Sequence, residues 1–327
     1  MWKAEPGHLP VLMDEAVAAL AIRPNGVYVD ATFGGGGYSR AMLAAVPRRV
    51  IGIDRDPEAV ARGRMLAAAE PRFRMVDGRF GDLETLIVAA GESRVEGIVL
   101  DLGVSSFQLD RAERGFSFQK DGPLDMRMSR SGPSAADMLA AVGEAELARL
   151  LRDLGDEPDA RRIAAAIVRE RTATPLTRTD QLSALVARAK GGHRGRTDPA
   201  TWTFQAVRMW VNDELGELGR ALEAAEQVLA HGGRLVVVSF HSGEDEAVKR
   251  FVDGRGGRHD GGSRHLPPAA VQDMRWAWAG RKIARPGEAE IAANPRARSA
   301  KLRVAIRRRA DEDSGDVPGS AAMRWAA

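Results

Sequence analysis

Four stretches of this chain hold residue types that can do chemistry: 30–39 (DATFGGGGYS), 54–56 (DRD), 101–106 (DLGVSS) and 239–242 (SFHS). Each follows a short apolar segment. In the first, the run Gly34, Gly35, Gly36, Gly37 follows Asp30-Ala31-Thr32-Phe33. Glycine turns tightly and lets a ligand approach the backbone with no Cβ in the way. In the second, Asp54 stands where its carboxylate can accept hydrogen bonds from both hydroxyls of an adenosine ribose. Two adenosine-bearing ligands suit such a pair. A dinucleotide favours G-x-G-x-x-G with its pyrophosphate on the following helix. The best frame here, Gly34-x-Gly36-x-x-Ser39, is an imperfect match. S-adenosylmethionine has no phosphate, and its amino-acid end gains from an acid near the glycines. Asp30, four residues before Gly34, favours that methyl donor. The dinucleotide and a bare structural turn both stay open on these residues.

Three further groups join the candidates. Phe80, in Asp77-Gly78-Arg79-Phe80, can stack on an adenine. Asp101 can orient a cofactor, hydrogen-bond a substrate amine, or do both. His241 can orient a base or accept a proton, or serve as an ordinary loop histidine. Ser105 and Ser106 read first as helix caps.

These residues need a scaffold that brings them to one place. Segments 27–31, 49–53, 72–76 and 98–102 read as strands, with helix-prone stretches such as 57–69 between them. Alternation of this kind implies βαβ units and a parallel sheet, whose carboxyl ends are where ligands bind. A fifth strand, 234–240, follows the turn His231-Gly232-Gly233. The fourth and fifth strands lie about 130 residues apart, far more than a crossover needs. A helical domain over 111–200 is therefore expected inside a discontinuous sheet domain, 1–110 and 201–310. Within it, Ser134-x-x-Asp137 has capping-box spacing. Apolar residues from Phe204 to Leu229 repeat every three or four positions, so 204–229 reads as one long helix leading back to the sheet, with Arg208 and Asn212 able to face a cleft. The Gly- and Arg-rich stretch 252–266 reads as a mobile loop, 301–307 as a last strand, and 311–327 as a disordered tail.

Composition bounds the rest. At 327 residues the chain can hold one α/β core plus an insertion. It has no cysteine, which excludes disulfides, thiolate metal sites and a thiolate nucleophile. The histidines are scattered, so no protein-held metal is expected. No apolar run reaches the ~18 residues of a membrane span, and the first residues do not resemble a signal peptide. A cytoplasmic protein without a membrane partner is the expectation. Net charge is only +3, yet 281–309 holds ten Lys and Arg against Glu288 and Glu290. Such a stretch is either the footprint of a phosphate backbone or a solvated strand and loop.

With these residues in hand, the chain resembles the RsmH (MraW) family, bacterial methyltransferases acting on N4 of a cytidine in 16S rRNA. The likeness runs from His8-Leu9-Pro10-Val11-Leu12 to the last strand. It rests on 101–108 (DLGVSSFQ), 113–118 (ERGFSF), 121–128 (DGPLDMRM), 204–208 (FQAVR), 239–242 (SFHS) and 294–298 (NPRAR). The resemblance implies an α/β, Rossmann-like class I S-adenosylmethionine methyltransferase fold with an inserted helical domain for substrate recognition. It implies 16S rRNA in the small ribosomal subunit as partner. Carried over by motif, the cofactor contacts are Gly36, Gly37, Tyr38, Asp54, Phe80, Asp101 and Gln108. Asp101 and His241 are the catalytic candidates, and a homodimer stays open. The chain departs from the family at Trp202, where an arginine is common, and at Gly243 and Glu246 after the SFHS motif. These changes bear on RNA binding rather than cofactor binding. Three rivals remain. One is a nicotinamide oxidoreductase, another an RNA-binding factor without activity. The third, a DNA cytosine-N4 methyltransferase, would typically carry Pro-Pro-aromatic where Asp101-Leu102-Gly103-Val104 stands.

Overall fold

In the computed structural model, described over residues 10–192, 198–256, 275–280 and 283–308, seven strands make one sheet. They are β1 (Val27–Asp30), β2 (Arg49–Asp54), β3 (Phe73–Asp77), β4 (Val95–Asp101), β5 (Leu229–Ser239), β6 (Trp276–Trp278) and β7 (Lys301–Arg307). Their spatial order is β3-β2-β1-β4-β5-β7-β6. Strands β1 to β5 run parallel, and β7 runs antiparallel to both β5 and β6. A dinucleotide-binding sheet runs 3-2-1-4-5-6. Here an antiparallel strand is wedged between the fifth and the sixth.

The parallel strands are apolar because both of their faces are covered. Every residue of β1 is buried. Val27 and Val29 face one core with Ile51, Ile53, Ile98, Leu100, Leu235 and Val237. Tyr28 faces the other with Val50, Val99, Val236 and Val238. Helices α1 (Met13–Leu20), α2 (Gly37–Ala44) and α3 (Pro57–Ala69) supply Leu20, Met42 and Ala59 to the second core, and α4 (Leu83–Ala89) supplies Leu83 and Ile87 to the first. The turn at 231–233 is a bulge inside β5. Opposite Val95 and Gly97 the register jumps from Leu229 to Arg234, with Gly232 at φ 78°.

A second compact unit spans Val104–Glu214, while the sheet unit takes the chain before and after it. The second unit holds α5 (Ser106–Asp110), α6 (Ala135–Ala141), α7 (Glu144–Gly155), α8 (Ala160–Ala173), α9 (Thr179–Ala189) and α10 (Thr201–Asn212). Its own core is built from Leu147, Leu151, Ile163, Ile167, Leu182 and Phe204, among others. Ser134 and Asp137 form the expected capping box at the start of α6.

The single helix expected over 204–229 is two. Asp213 sits in the left-handed region at φ 51° and ends α10, and α11 (Glu214–Val228) starts on its far side. The apolar stripe divides accordingly. Phe204 and Val207 enter the second unit's core, while Leu218, Leu222, Ala225 and Val228 enter the sheet's. Residues 201–212 therefore pack with the helical unit and not with the sheet. In the sheet unit, α12 (Ser242–Arg255) covers the first residues of the expected loop, with Phe251 and Val252 buried. Residues 257–266 of that stretch and the tail 311–327 lie outside the described residues. A short α13 (Glu288–Ala293) precedes β7.

Candidate functional site

Each of the first four strands ends on an aspartate: Asp30, Asp54, Asp77 and Asp101. Parallel pairing puts these ends side by side, with Asp30 opposite Gly52 and Val99, and Asp54 opposite Asp77. Asp30 is fully buried. Its Oδ2 accepts from the Ser39 hydroxyl at 2.7 Å and the Ser39 N–H at 3.1 Å, but its Oδ1 is sealed from solvent without a partner. Asp101 is held by its own N–H, which donates to Thr32 Oγ1 at 2.7 Å. Its Oδ1 is likewise buried and unpartnered, although the residue as a whole reaches the surface. Burial pushes the Asp30 carboxyl up to about 6, against hydrogen bonds from the Ser39 side chain, the Thr32 backbone and the Ser39 backbone. Burial, then the charges of Asp30 and Glu244, hold Asp101 well above the usual carboxylate range. An acid cluster whose members raise one another is short of positive charge.

The glycine turn abuts this cluster. Gly36 adopts φ 77°, and a Cβ there would lie 2.6 Å from the Phe33 ring. A Cβ on Gly37, the first residue of α2, would lie 2.3 Å from Pro10. The turn is tied to β2 by Gly34 N–H, which donates to Asp54 Oδ2 at 2.8 Å. Asp54 Oδ1 accepts from Asp56 N–H at 2.8 Å, and burial raises the Asp54 carboxyl. Tyr38 is buried, and its hydroxyl donates to the Val11 carbonyl. Burial, with Asp101 and Asp30 nearby, raises that phenol well above its ordinary value. The Tyr38 side chain thus fastens the incoming chain to α2, and only its backbone faces the glycine turn's task.

The arrangement discriminates between the two ligands that the sequence leaves open. A pyrophosphate would bring further negative charge to Asp30 and Asp101, although the turn itself has cations on it: Arg40 donates to the Gly35 and Gly36 carbonyls and Arg62 to that of Gly34. S-adenosylmethionine brings a sulfonium and an ammonium, whose positive charge offsets the negative charge of the acids: Asp101 reaches the surface, and the sealed Asp30 lies behind it. The residues present fit the methyl donor.

Two positioning acids escape sequence reading. Glu217, buried on α11, accepts from Gly81 N–H at 2.9 Å and from Arg79 Nη1 at 3.1 Å. It fixes the short 3-10 turn on which Phe80 sits. Glu244, also buried, accepts from Phe240 N–H at 2.9 Å. His241 caps α12, its Nδ1 accepting from Gly243 N–H at 3.1 Å and Glu244 N–H at 3.4 Å. A ring nitrogen that accepts leaves the proton on Nε2. That Nε2 lies 3.1 Å from Glu244 Oε1 without the alignment of a hydrogen bond. The His241-x-x-Glu244 spacing of a capping box was the available signal.

Gln108 belongs to the helical unit. It closes a capping box with Ser105, its Oε1 accepting from Ser105 N–H at 3.0 Å. Ser105 is the cap that the sequence suggests. Asn212 and Arg208 are structural. Asn212 donates to the Met126 carbonyl at 2.7 Å and accepts from Met128 N–H at 2.9 Å, propping Met126 in a left-handed conformation at φ 60°. Arg208 makes two bonds to Glu214, at 2.7 and 2.8 Å.

The basic stretch divides. Lys301 and Arg303 turn inward to Asp245, at 2.8 and 2.5 Å, whereas Arg296 and Arg298 are exposed on the turn before β7. Of the departures, Glu246 stands on α12 with Lys249 at 3.6 Å and Arg250 at 3.7 Å. A Cβ on Gly243 would come within 3.2 Å of the His241 ring. Trp202 lies on α10 with 40% of its surface exposed. Among the described residues, no helix is long and apolar enough to cross a membrane.

The sequence model of the MraW methylase family matches residues 5–308. The ribosomal RNA small subunit methyltransferase H of Hyphomonas neptunium is 54% identical over 314 residues, covering 94% of this chain and 91% of that protein. The protein of the same name from Paramagnetospirillum magneticum is 54% identical over 303 residues, covering 92% and 95%. Its counterpart in Rhodopseudomonas palustris is 50% identical over 321 residues, covering 98% and 96%.

Proposed function

Since the chain belongs to the MraW methylase family, we infer that it is an S-adenosylmethionine-dependent methyltransferase of ribosomal RNA, and we propose that its acceptor is the exocyclic N4 of a cytidine in the decoding centre of 16S rRNA. The observation that supports the donor side is the row of strand-end acids beside the tight glycine turn. The cytidine and the atom rest on the motif resemblance.

S-adenosylmethionine supplies an electrophilic methyl on a cationic sulfur. We assign Asp101 to its amino-acid end, Asp54 to its ribose, Phe80 to its adenine, and Gly36, Gly37 and the Tyr38 backbone to close approach. Gln108 joins this set by motif. Asp30 has no exposed surface, so it acts through its field and by holding Ser39 at the head of α2.

The N4 amine of cytosine is a weak nucleophile, because its lone pair is delocalised into the ring. The protein's contribution is therefore alignment, exclusion of water and an acceptor for an N4 hydrogen. We assign that hydrogen bond to Asp101 as well. His241 is a positioning residue. Its cap sets the start of α12 and holds Glu244 where its charge keeps Asp101 basic enough to accept. The target base has to be splayed from its neighbours to enter. We assign recognition of the surrounding rRNA to the inserted helical unit.

The test is methyl transfer from labelled S-adenosylmethionine to small subunits from a strain lacking this enzyme, followed by nucleoside analysis. N4-methylcytidine that appears only with enzyme is the expected product. Label in another nucleoside, or none from protein that binds adenosylhomocysteine, overturns the assignment.

A further inference from the structure

Among the described residues, Val46, Met65, Val88 and Trp202 are the large hydrophobic side chains left exposed. Isolated aliphatic exposures are ordinary on any surface. Trp202 differs in three respects. Its ring is backed by the Lys190 ammonium, 4.8 Å from the ring centroid. That ammonium is buried and fixed, 2.8 Å from Glu157 Oε2 and 2.7 Å from the Pro199 carbonyl. Glu157 is itself buried and accepts from Thr203 Oγ1 at 3.0 Å. The backbone beneath the ring is equally fixed. A Cβ on Gly155 would lie 2.4 Å from the Trp202 carbonyl oxygen, so α7 and α10 touch backbone to backbone there. A tryptophan held on both its cation and its main chain has little conformational freedom to lose when a flat partner lands on it.

The choice of partner follows from charge. From 188 to 200 the sequence leading to α10 carries Arg188, Lys190, Arg194 and Arg196 against Asp198, with Arg188 and Lys190 ion-paired to Glu170 and Glu157. An exposed aromatic ring is what stacks an unpaired base, and a basic stretch of sequence suits the phosphates that come with it. We propose that Trp202, backed by Lys190, is a stacking platform for an unpaired nucleobase of the RNA substrate. This rests on the ribosomal RNA reading above. It also gives a use to the tryptophan at a position where the family commonly has arginine.

The experiment compares wild type, Trp202→Phe and Trp202→Leu for binding to small ribosomal subunits by filter retention, with adenosylhomocysteine affinity and thermal midpoint as controls. Leucine keeps the apolar contact but cannot stack. Trp202→Leu is expected to weaken subunit binding about tenfold and raise KM to match, with kcat at saturating subunits unchanged. Trp202→Phe is expected to stay within about threefold of wild type. Two results overturn the platform while leaving the methyltransferase reading intact. One is wild-type subunit affinity in Trp202→Leu, the other an equal loss in Trp202→Phe. Failure of the wild type itself to bind or methylate subunits would instead sink the ribosomal RNA reading, and the platform with it.

Discussion

The two units treat their buried polar groups in opposite ways. Among the described residues, every buried side-chain polar atom without a partner lies in the sheet unit, and Asp30 Oδ1 and Asp101 Oδ1 are two of them. The helical unit has none, although it buries Arg114, Glu157, Thr179, Thr203 and Asn212. Glu157 meets Lys190 and Thr203, Arg114 donates to the Arg127 and Met128 carbonyls, and Asn212 clamps the Met126 turn. An unmet buried acceptor costs stability, and Asp30 and Asp101 carry theirs at the strand ends where parallel sheets bind ligands. Among the described residues, the helical unit meets its buried polar side chains from within the protein.

The largest effect is expected in the helical unit. Glu157→Ala strands the Lys190 ammonium in a buried setting and should cost about 4 kcal/mol in urea unfolding. A loss under about 1 kcal/mol would mean that this network is slack and the contrast false. In the sheet unit, Asp101→Asn should do the reverse. Adenosylhomocysteine affinity should fall about a hundredfold, or ~2.7 kcal/mol, by calorimetry. The ligand-free protein should unfold at no lower a midpoint than wild type. A less stable ligand-free protein would show that the carboxylate was satisfied after all.

The smallest effect sharpens the account of Asp30. Its carboxyl titrates near 6 when folded and near 4 when unfolded. Between those values the native state binds more protons than the unfolded one, so stability falls as pH rises through that window and levels off above it. Asp30→Asn removes this dependence. The stability of Asp30→Asn relative to wild type, both ligand-free, should therefore grow by about 2 kcal/mol between pH 4.5 and pH 8. A gap that does not change with pH would place the buried charge elsewhere.

Much of the site was legible because its signals are local. A glycine run after an apolar segment, and Asp30, Asp54 and Asp101 at or beside the ends of three such segments, can be read without knowing the fold. The strand ends in the first hundred residues came within about three positions of those observed. What escaped depends on distant partners. Glu217 looks like any surface acid on an amphipathic helix until Gly81, 136 positions away in sequence, is seen donating to it. Lys301 and Arg303 read as solvent-facing charge until Asp245 closes on them. The break at Asp213 was invisible because both helices keep the same apolar period across it. Strand β6 (Trp276–Trp278), three residues long, carries too little pattern to be noticed.

The wedged strand β7 has a consequence for how the chain is made. It comes last of the seven in sequence, yet it lies inside the sheet, hydrogen-bonded to β5 on one side and β6 on the other. During synthesis β1 to β4 emerge first, and β7 follows β4 by about 200 residues. At ordinary elongation rates that is a delay of roughly 10–40 s. Throughout it the nascent sheet has a raw edge on the β5 side, a surface prone to mispairing. The helical unit, contiguous in sequence, can fold within this interval. The sheet cannot be complete until residues 301–307 have left the ribosome.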